Sequence, residues 1–375
     1  MLQNKKLKLA FQLSMRKVVF GFGILLLVLG FSFADQTQPK PVKKAVATTA
    51  VTTLDAAVKS VQASIQASKF TQASNDLRKY LMLYPANAEL LKLKRQLVLA
   101  DYKANVVSQS AIELLMERNK NINKCDAGKV SATSDKQFLQ RLNYVRRLAG
   151  LYDSCVLDPA LNKKAQYAAY MMDVNNQLSH SPASSWKCYT KEGAATAGLS
   201  NLSLGYGFID ALMGQIEDDG LGNDAVGHRR WIFNSENNVF GHGSTDNAMC
   251  LYVISTYNKT LSKTINIHDT QFVAWPSVDY FPLQMVPERW SFSLKGAEFA
   301  QATVTVNAAG KPLKVVKEKP ADGYAMNTLV WKVPGVASVN VTYTVRIKNV
   351  KVYNTELGKY QMKSFNYTVT PVSED

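Results

Sequence analysis

The residues best suited to chemistry lie in the middle of this 375-residue chain. Three of its four histidines, His180, His228 and His242, fall there, and His228 stands beside Arg229 and Arg230 in the stretch GNDAVGHRRWIFN. Neutral imidazoles bind divalent metals and transfer protons near neutral pH, and arginines bind anions. These residues could therefore form a metal site, an acid–base site or an anion-binding site. The simpler alternative is that each of them is structural.

Familiar nucleophile systems are not apparent in the sequence. It contains no Gly-x-Ser-x-Gly, no HExxH and no phosphate-binding loop. Ser179 and Ser181 flank His180, but adjacent residues at the end of a helix do not face one another, so a serine triad is not expected. His242, in the stretch FGHGS, reads as part of a strand that enters a turn.

The cysteines point to structure rather than to chemistry. They lack CxxC or Cys/His ligand spacing, so two structural disulfides are expected, and the sequence does not choose among the three pairings. The four residues are Cys125, Cys155, Cys188 and Cys250.

The order of motifs carries more information than any one residue. NYVRRLAGL, LNKKAQYAAYMM, LSHSP, AGLSNLSLGYG, ALMGQIEDDG, GNDAVGHRRWIFN and FGHG follow one another. This order resembles the CAP superfamily of cysteine-rich secretory, antigen 5 and pathogenesis-related proteins over about residues 134–260, and GHRRWIF followed by VFGHG is similar to the bacterial branch. The resemblance implies an α-β-α sandwich, with a cleft where two histidines and two glutamates meet and where some members bind zinc.

Carried over by motif, His180 matches the first family histidine and His228 the second, so these two are the expected metal ligands. The first family glutamate falls at Ser200, just before Asn201, so that acid is missing. Glu217 is the best candidate for the second, with two aspartates next to it. The resemblance thus implies at most a weakly held divalent metal such as zinc.

Arg229, Arg230 and Trp231 replace the family's aromatic-Thr-Gln run. With Asn201, the arginines are candidates for lining the cleft. They are expected to be mainly scaffold, paired with acids such as Asp218, while the tryptophan fills the core beside the sheet.

Three functions remain in competition. The first is a non-catalytic, exported binding protein, whose ligand is a lipid- or sterol-like molecule or an anionic envelope polymer. The second is a metal-dependent hydrolase acting on peptide or cell-wall material through His180, His228 and Glu217. The third is an adhesin-like surface protein that uses a C-terminal β module. Nucleic acid is not an expected partner, because the chain lacks a nucleic-acid motif and a block of like charges.

The N-terminus predicts export. VVFGFGILLLVLGFSFA follows Arg16 and Lys17 and ends in small residues, as in a signal peptide cleaved after Ala34, and Met15 is an alternative start to Met1. The run is short for a membrane span, so a retained anchor is the second choice. The net charge of +15 favours anionic surfaces in the periplasm, on the cell surface or outside the cell.

The secondary structure predicted to position the histidines and arginines is of the α+β class. After the signal peptide at 1–34, residues 35–53 are rich in Pro, Lys and Thr and predict a flexible linker. Residues 54–125 show apolar spacing of three and four, like a tetratricopeptide-like helical hairpin. The domain at 134–260 begins with a helix ending at Gly150, and a second helix is expected to run to His180. Residues 270–375 alternate polar and apolar, which predicts a small all-β, Ig-like sandwich.

Overall fold

The computed structural model describes residues 43–109, 113–117, 125–151, 153–254, 272–335 and 337–374. The predicted signal peptide, residues 1–34, lies outside these ranges. The chain divides into two compact units, residues 1–50 and 51–375, and of the first unit only the start of a helix is described. No helix in the described ranges is both long and apolar enough to cross a membrane.

The N-terminal region is helical, as its spacing predicts. Its helices are α1 (Lys43–Gln66), α2 (Phe70–Leu83) and α3 (Ala88–Asn105). Helix α1 begins inside the predicted linker, because no proline or glycine follows Pro41 to prevent it. Asn87 caps α3 by accepting the Leu90 N–H at 3.0 Å. The three helices of this region share a small core of Val61, Ala73, Leu77, Leu90, Leu93 and Leu97.

The middle domain is a four-stranded sheet between two helical layers. The strands are β3 (Val156–Leu157), β4 (Ser200–Leu204), β5 (Val239–Ser244) and β6 (Ala248–Tyr252). Their order in the sheet is β3-β5-β6-β4, with β3 and β5 parallel and the other pairs antiparallel. The helices are α4 (Ala132–Leu148), α5 (Pro159–Asn175), α6 (Lys191–Ala197), α7 (Phe208–Glu217) and α8 (Gly227–Ile232). A short ladder, β1 (Met116–Glu117) with β2 (Lys129–Val130), precedes the domain.

Alternation along β6 shows that both faces of this sheet are covered. Ala248 and Cys250 pack with α5 and α6, whereas Met249 and Leu251 belong to the core that contains α4 and α7. Side chains alternate between faces with period two, so a wholly apolar strand indicates a sheet buried on both sides. The α-β-α sandwich is therefore confirmed.

The glycines of FGHGS have a steric cause. A Cβ at Gly241 would lie 2.5 Å from the Leu161 Cβ, and one at Gly243 would lie 2.2 Å from the Gln166 backbone nitrogen. Helix α5 thus packs directly on the backbone of β5, and His242, between the glycines, faces the other side. The stretch is a strand, as expected.

Two expectations for this domain are corrected. Helix α5 ends at Asn175 rather than at His180, because Asn176 takes the left-handed conformation that stops a helix. Cys125 pairs with Cys188, but Cys155 and Cys250 are buried free thiols. They belong to core clusters on opposite faces of the sheet, so a second disulfide does not form.

The C-terminal region consists of two sheets, in the orders β13-β14-β9-β7 and β12-β11-β15-β16-β8, with β10 on β15. Phe292 on one sheet and Tyr367 on the other stack with ring centroids 6.4 Å apart, as in the expected sandwich. Pairing is antiparallel except between β16 and β8. The strands are β7 (Val273–Trp275), β8 (Asp279–Pro282), β9 (Arg289–Ser293), β10 (Ala297–Glu298), β11 (Thr303–Ala308), β12 (Lys311–Pro312), β13 (Val316–Lys317), β14 (Thr328–Lys332), β15 (Tyr343–Asn354) and β16 (Lys359–Val372).

The β module and the middle domain share one hydrophobic core. Phe233, after α8, packs on Trp275 of β7 with ring centroids 5.0 Å apart. Tyr144 of α4 donates its hydroxyl to the Met285 sulfur at 3.3 Å. The modules read from the sequence are therefore joined by packing within the unit 51–375.

Candidate functional site

His228 is held by an aspartate at the end of the preceding helix. Asp218 caps α7 in the left-handed conformation, with φ of 51°. One of its carboxylate oxygens, Oδ1, lies 2.8 Å from His228 Nδ1, and Oδ2 accepts the Arg229 backbone N–H at 3.1 Å. The Asp218 side chain is fully buried, whereas that of His228 is 29% exposed. A buried carboxylate thus fixes the orientation of a solvent-facing imidazole.

His180 is oriented in a similar way by a backbone carbonyl. It lies in the loop after α5, and its Nδ1 lies 2.9 Å from the Ala197 carbonyl oxygen at the end of α6. A carbonyl oxygen only accepts, so Nδ1 carries the hydrogen and Nε2 of a neutral ring keeps its lone pair. The same reasoning gives His228 a free Nε2 when its ring is neutral. Both predicted ligands therefore present the nitrogen that could bind a metal or accept a proton.

Asn201 ties the strand β4 to the helix that carries His228. It lies on β4, four residues after Ala197, and its Nδ2 donates to the His228 carbonyl oxygen at 3.0 Å. The side chain is 2% exposed. Asn201 was expected to line the cleft, and it instead acts as an internal tie that sets the position of α8 relative to β4.

Ser200, which stands where the first family glutamate is expected, has a structural role. The Ser200 hydroxyl donates to the Thr196 carbonyl oxygen at 2.7 Å, and the residue is 6% exposed. Serine at this position therefore closes the turn between α6 and β4 and supplies no charge to the histidines.

Glu217 does not make the contact that the family pattern implies. Its Oε1 accepts the Glu288 backbone N–H of the β module at 3.2 Å. Burial raises the pKa of this carboxyl, although the bond from Glu288 opposes the shift. The carboxylate that touches His228 belongs to Asp218, which sequence reasoning kept only as a neighbour.

Arg229 is scaffold, but its guanidinium binds carbonyl and hydroxyl oxygens rather than acids. Its guanidinium donates to the carbonyl oxygens of Ile216, Glu217 and Arg289, and to the Ser291 hydroxyl at 3.2 Å. The residue is 1% exposed, and burial lowers its pKa to about 10. This arginine therefore joins α7 to β9 and does not reach a ligand.

Arg230 has a corresponding structural role. It donates to the carbonyl oxygens of Met326 and Ala321, and its guanidinium lies 5.0 Å from the Tyr324 ring centroid. Burial lowers its pKa. Trp231 is only partly buried and packs against the shared core. The interpretation of GHRRWIF as mainly scaffold thus agrees with the contacts. Asp218 does bind Arg229, but through the backbone N–H rather than through the guanidinium.

The donor chemistry tests whether zinc would fit. Both oxygens of Asp218 already accept bonds, and the nearby Ser200 and Glu217 have partners elsewhere. The donor atoms left for zinc are the Nε2 atoms of His180 and His228. Two ligands are fewer than the three or four that proteins supply in zinc sites. Among the described residues, no group of three or more His, Cys, Asp or Glu side chains is placed to hold a metal. The residues do not fit a tight zinc site.

A second histidine network, missed from the sequence, lies inside the domain. His242 Nδ1 is 2.9 Å from Asp135 Oδ1, and its Nε2 is 3.1 Å from Ser244 Oγ. The ring stacks on Phe138 at 3.8 Å between centroids. The three polar residues have the chemistry of a serine triad, but His242 is 1% and Ser244 0% exposed, so a substrate carbonyl cannot reach the hydroxyl. The Ser244 hydroxyl also accepts the Phe208 N–H, which makes the network a structural tie.

Comparison with known proteins agrees with this architecture. A family model described as the cysteine-rich secretory protein family matches residues 139–257. A search of curated proteins found no match. The matched segment contains the whole four-stranded sheet and the two oriented histidines, and the helical and β modules lie outside it.

Proposed function

Since residues 139–257 form a domain of the cysteine-rich secretory protein family, we propose that this protein is an exported binding protein with no catalytic activity at that domain. Export is supported by the signal-like N-terminus, by the Cys125–Cys188 disulfide and by a family that is typically secreted. The proposal concerns the histidine site and leaves the ligand to be identified.

The main support for the proposal is that the carboxylate of Asp218 is occupied by structural contacts. General acid–base catalysis uses positioned side chains that are free to exchange a proton with substrate. Here both oxygens of Asp218 hold the fold, and Ser200 replaces the acid expected across the cleft. His228 thus has an orienting partner, but of the two acids in the family pattern one is replaced by Ser200 and the other, Glu217, is bound to the β module.

The test is a paired assay of turnover and metal content on the full chain. We expect no zinc-dependent hydrolysis of peptide or cell-wall material, and less than about a tenth of an equivalent of metal in protein prepared without chelator. His228→Ala should change neither quantity. Stoichiometric zinc that is lost together with activity in His228→Ala, and retained in the exposed control Asp219→Ala, would refute the proposal.

A hydrolase is the second candidate, and the Asp218–His228 pair favours it. A carboxylate on Nδ1 raises the basicity of Nε2, as in metal sites and in general bases. In that case His228→Ala should abolish turnover, and His180→Ala should weaken metal uptake. Turnover unchanged in both variants would exclude a role for these histidines.

An adhesin-like role has its own supporting observation, on the β15–β16 hairpin. Tyr353, Leu357, Tyr360 and Met362 are 43–55% exposed there. Lys351 lies over the Tyr360 ring, 4.1 Å from its centroid. An adhesin predicts that Tyr353→Ser with Tyr360→Ser reduces binding to dextran sulfate, an anionic polymer, while Tyr206→Ser, at another exposed tyrosine, does not. Deleting the module is a poor test, because Arg229 and Phe233 would lose their partners.

A further inference from the structure

A cavity lies where the helical region, the middle domain and the β module meet. Its volume is about 410 Å³, within the range of sites that enclose small molecules. It is bounded by α2 and α3, by the C-terminal end of α4, and by residues of β7, β8 and the turn between them. Neither histidine of the candidate site lines it, so it is separate from that site.

Most of the wall is apolar. Leu77, Leu97 and Tyr144 are buried residues of the helical wall, and Phe272 and Val278 form part of the opposite wall. Burying apolar surface is favourable, so such walls favour a ligand of hydrocarbon character.

The carboxylates of the wall are paired with cations of the wall. Lys94 on α3 lies 2.5 Å from an oxygen of Asp279 on β8, and Arg147 on α4 binds Asp101 on α3 at 2.7 Å. Each pair joins two of the three parts that form the cavity. Arg78 on α2 also lines the cavity, and it already has an interaction partner. An anionic ligand would have to break one of these interactions or enter with its charge unpaired, and both are costly in a partly buried site.

One side chain at the cavity is suited to admit a ligand. Met82 on α2 is 60% exposed and lines the same space. An unbranched thioether side chain adapts to ligands of different shape. Access therefore needs no movement of a buried element.

We propose that this cavity binds a small, uncharged, mainly apolar molecule. The inference rests on the proposed function in that it names a ligand class for the binding protein. The cavity is lined by helices and strands outside the matched family segment, together with α4. It therefore depends on how the modules of this chain pack together and is distinct from the histidine site.

The experiment uses calorimetric titration of the full chain with 1-decanol and with decanoate at pH 7. We expect 1-decanol to bind with saturation, and decanoate to bind at least about tenfold more weakly, which corresponds to about 1.4 kcal/mol. Val278→Trp fills the cavity and should weaken decanol binding by at least about tenfold. Val316→Trp, at a 42% exposed valine of β13, is the control and should bind as the wild type does.

Thermal unfolding of each variant checks the fold, and Leu81→Trp on α2 replaces Val278→Trp if the latter does not fold. Wild-type affinity in the folded cavity variants would place the ligand elsewhere, and tighter binding of decanoate would overturn the uncharged class. No saturable binding of decanol to the wild type would overturn the cavity proposal. The turnover and zinc assays are independent of these results, so the two proposals can fail separately.

Discussion

Oδ1 of Asp218 lies 2.8 Å from Nδ1 of His228, and the other oxygen of the same carboxylate holds the backbone N–H of Arg229. One buried side chain therefore orients the imidazole and also satisfies an N–H in the first turn of α8. The first turn of a helix has N–H groups without intrahelical partners, and carboxylates stabilise them. The strongest sign of chemistry in this chain is thus also part of its scaffold.

Replacing Asp218 with Asn should lower the free energy of unfolding by about 1–3 kcal/mol, because an amide offers one neutral acceptor in place of two charged ones. Urea denaturation followed by far-UV circular dichroism measures the change. Asp219→Asn, at the exposed neighbour, should leave the midpoint within error. Equal effects at both positions would mean that the carboxylate of Asp218 contributes no specific stability.

Stability should fall as the pH is lowered below neutrality because of His242. Burial lowers the pKa of this histidine below its ordinary value of 6.5, and Asp135 only partly opposes the shift. The unfolded chain therefore binds a proton that the folded chain does not, so the free energy of unfolding decreases as pH falls through about 6.5. The decrease ends once the pH passes the folded pKa. His242→Gln should flatten this dependence.

Urea midpoints measured between pH 5 and pH 8 test the effect of His242, and His180→Gln, at an exposed residue, is the matched control. The control should keep the wild-type slope. A wild-type slope in His242→Gln would show that other groups cause the acid sensitivity.

The Cys125–Cys188 disulfide should stabilise the domain by about 4 kcal/mol, since it closes a loop of 63 residues. Cys125→Ser should lower the unfolding midpoint by a corresponding amount. Cys155→Ser should have a smaller effect, because it removes no crosslink. A larger loss at Cys155 than at Cys125 would contradict this assignment.

Thiol labelling tests the same pairing. Burial raises the pKa of Cys155, and it raises the pKa of Cys250 to about 12. Iodoacetamide reacts with the thiolate, so the native protein should not be labelled. Under denaturing, non-reducing conditions, mass spectrometry should find label on Cys155 and Cys250 alone. Label on Cys125 or Cys188 would refute the disulfide.

Arg229→Met should cost about 3–5 kcal/mol, because it leaves several buried carbonyls without a donor. Since Arg229 joins α7 to β9, limited proteolysis should then cut between the middle domain and the β module sooner than in the wild type. Arg346→Met removes a guanidinium from an exposed position on β15 and should leave the cleavage rate unchanged. An unchanged cleavage pattern in Arg229→Met would show that other contacts hold the modules together.

Much of the architecture could be read from local patterns. Apolar spacing predicts the helices before residue 106, alternation predicts the sandwich after residue 272, and the order of motifs implies the α-β-α domain that contains His180 and His228. These features repeat along the chain with the period of the element, so each can be recognised from a short window.

Partners across the fold were decided only by tertiary structure. Glu217 and Asp218 are adjacent in sequence, yet the left-handed turn at Asp218 directs one carboxylate to the β module and the other to His228. The partner of Cys125 depends on which face of the sheet each cysteine occupies. The sequence alone determined which groups capable of chemistry are present and in what order. Their contacts depend on how elements distant in sequence pack together, and a short sequence pattern does not encode that packing.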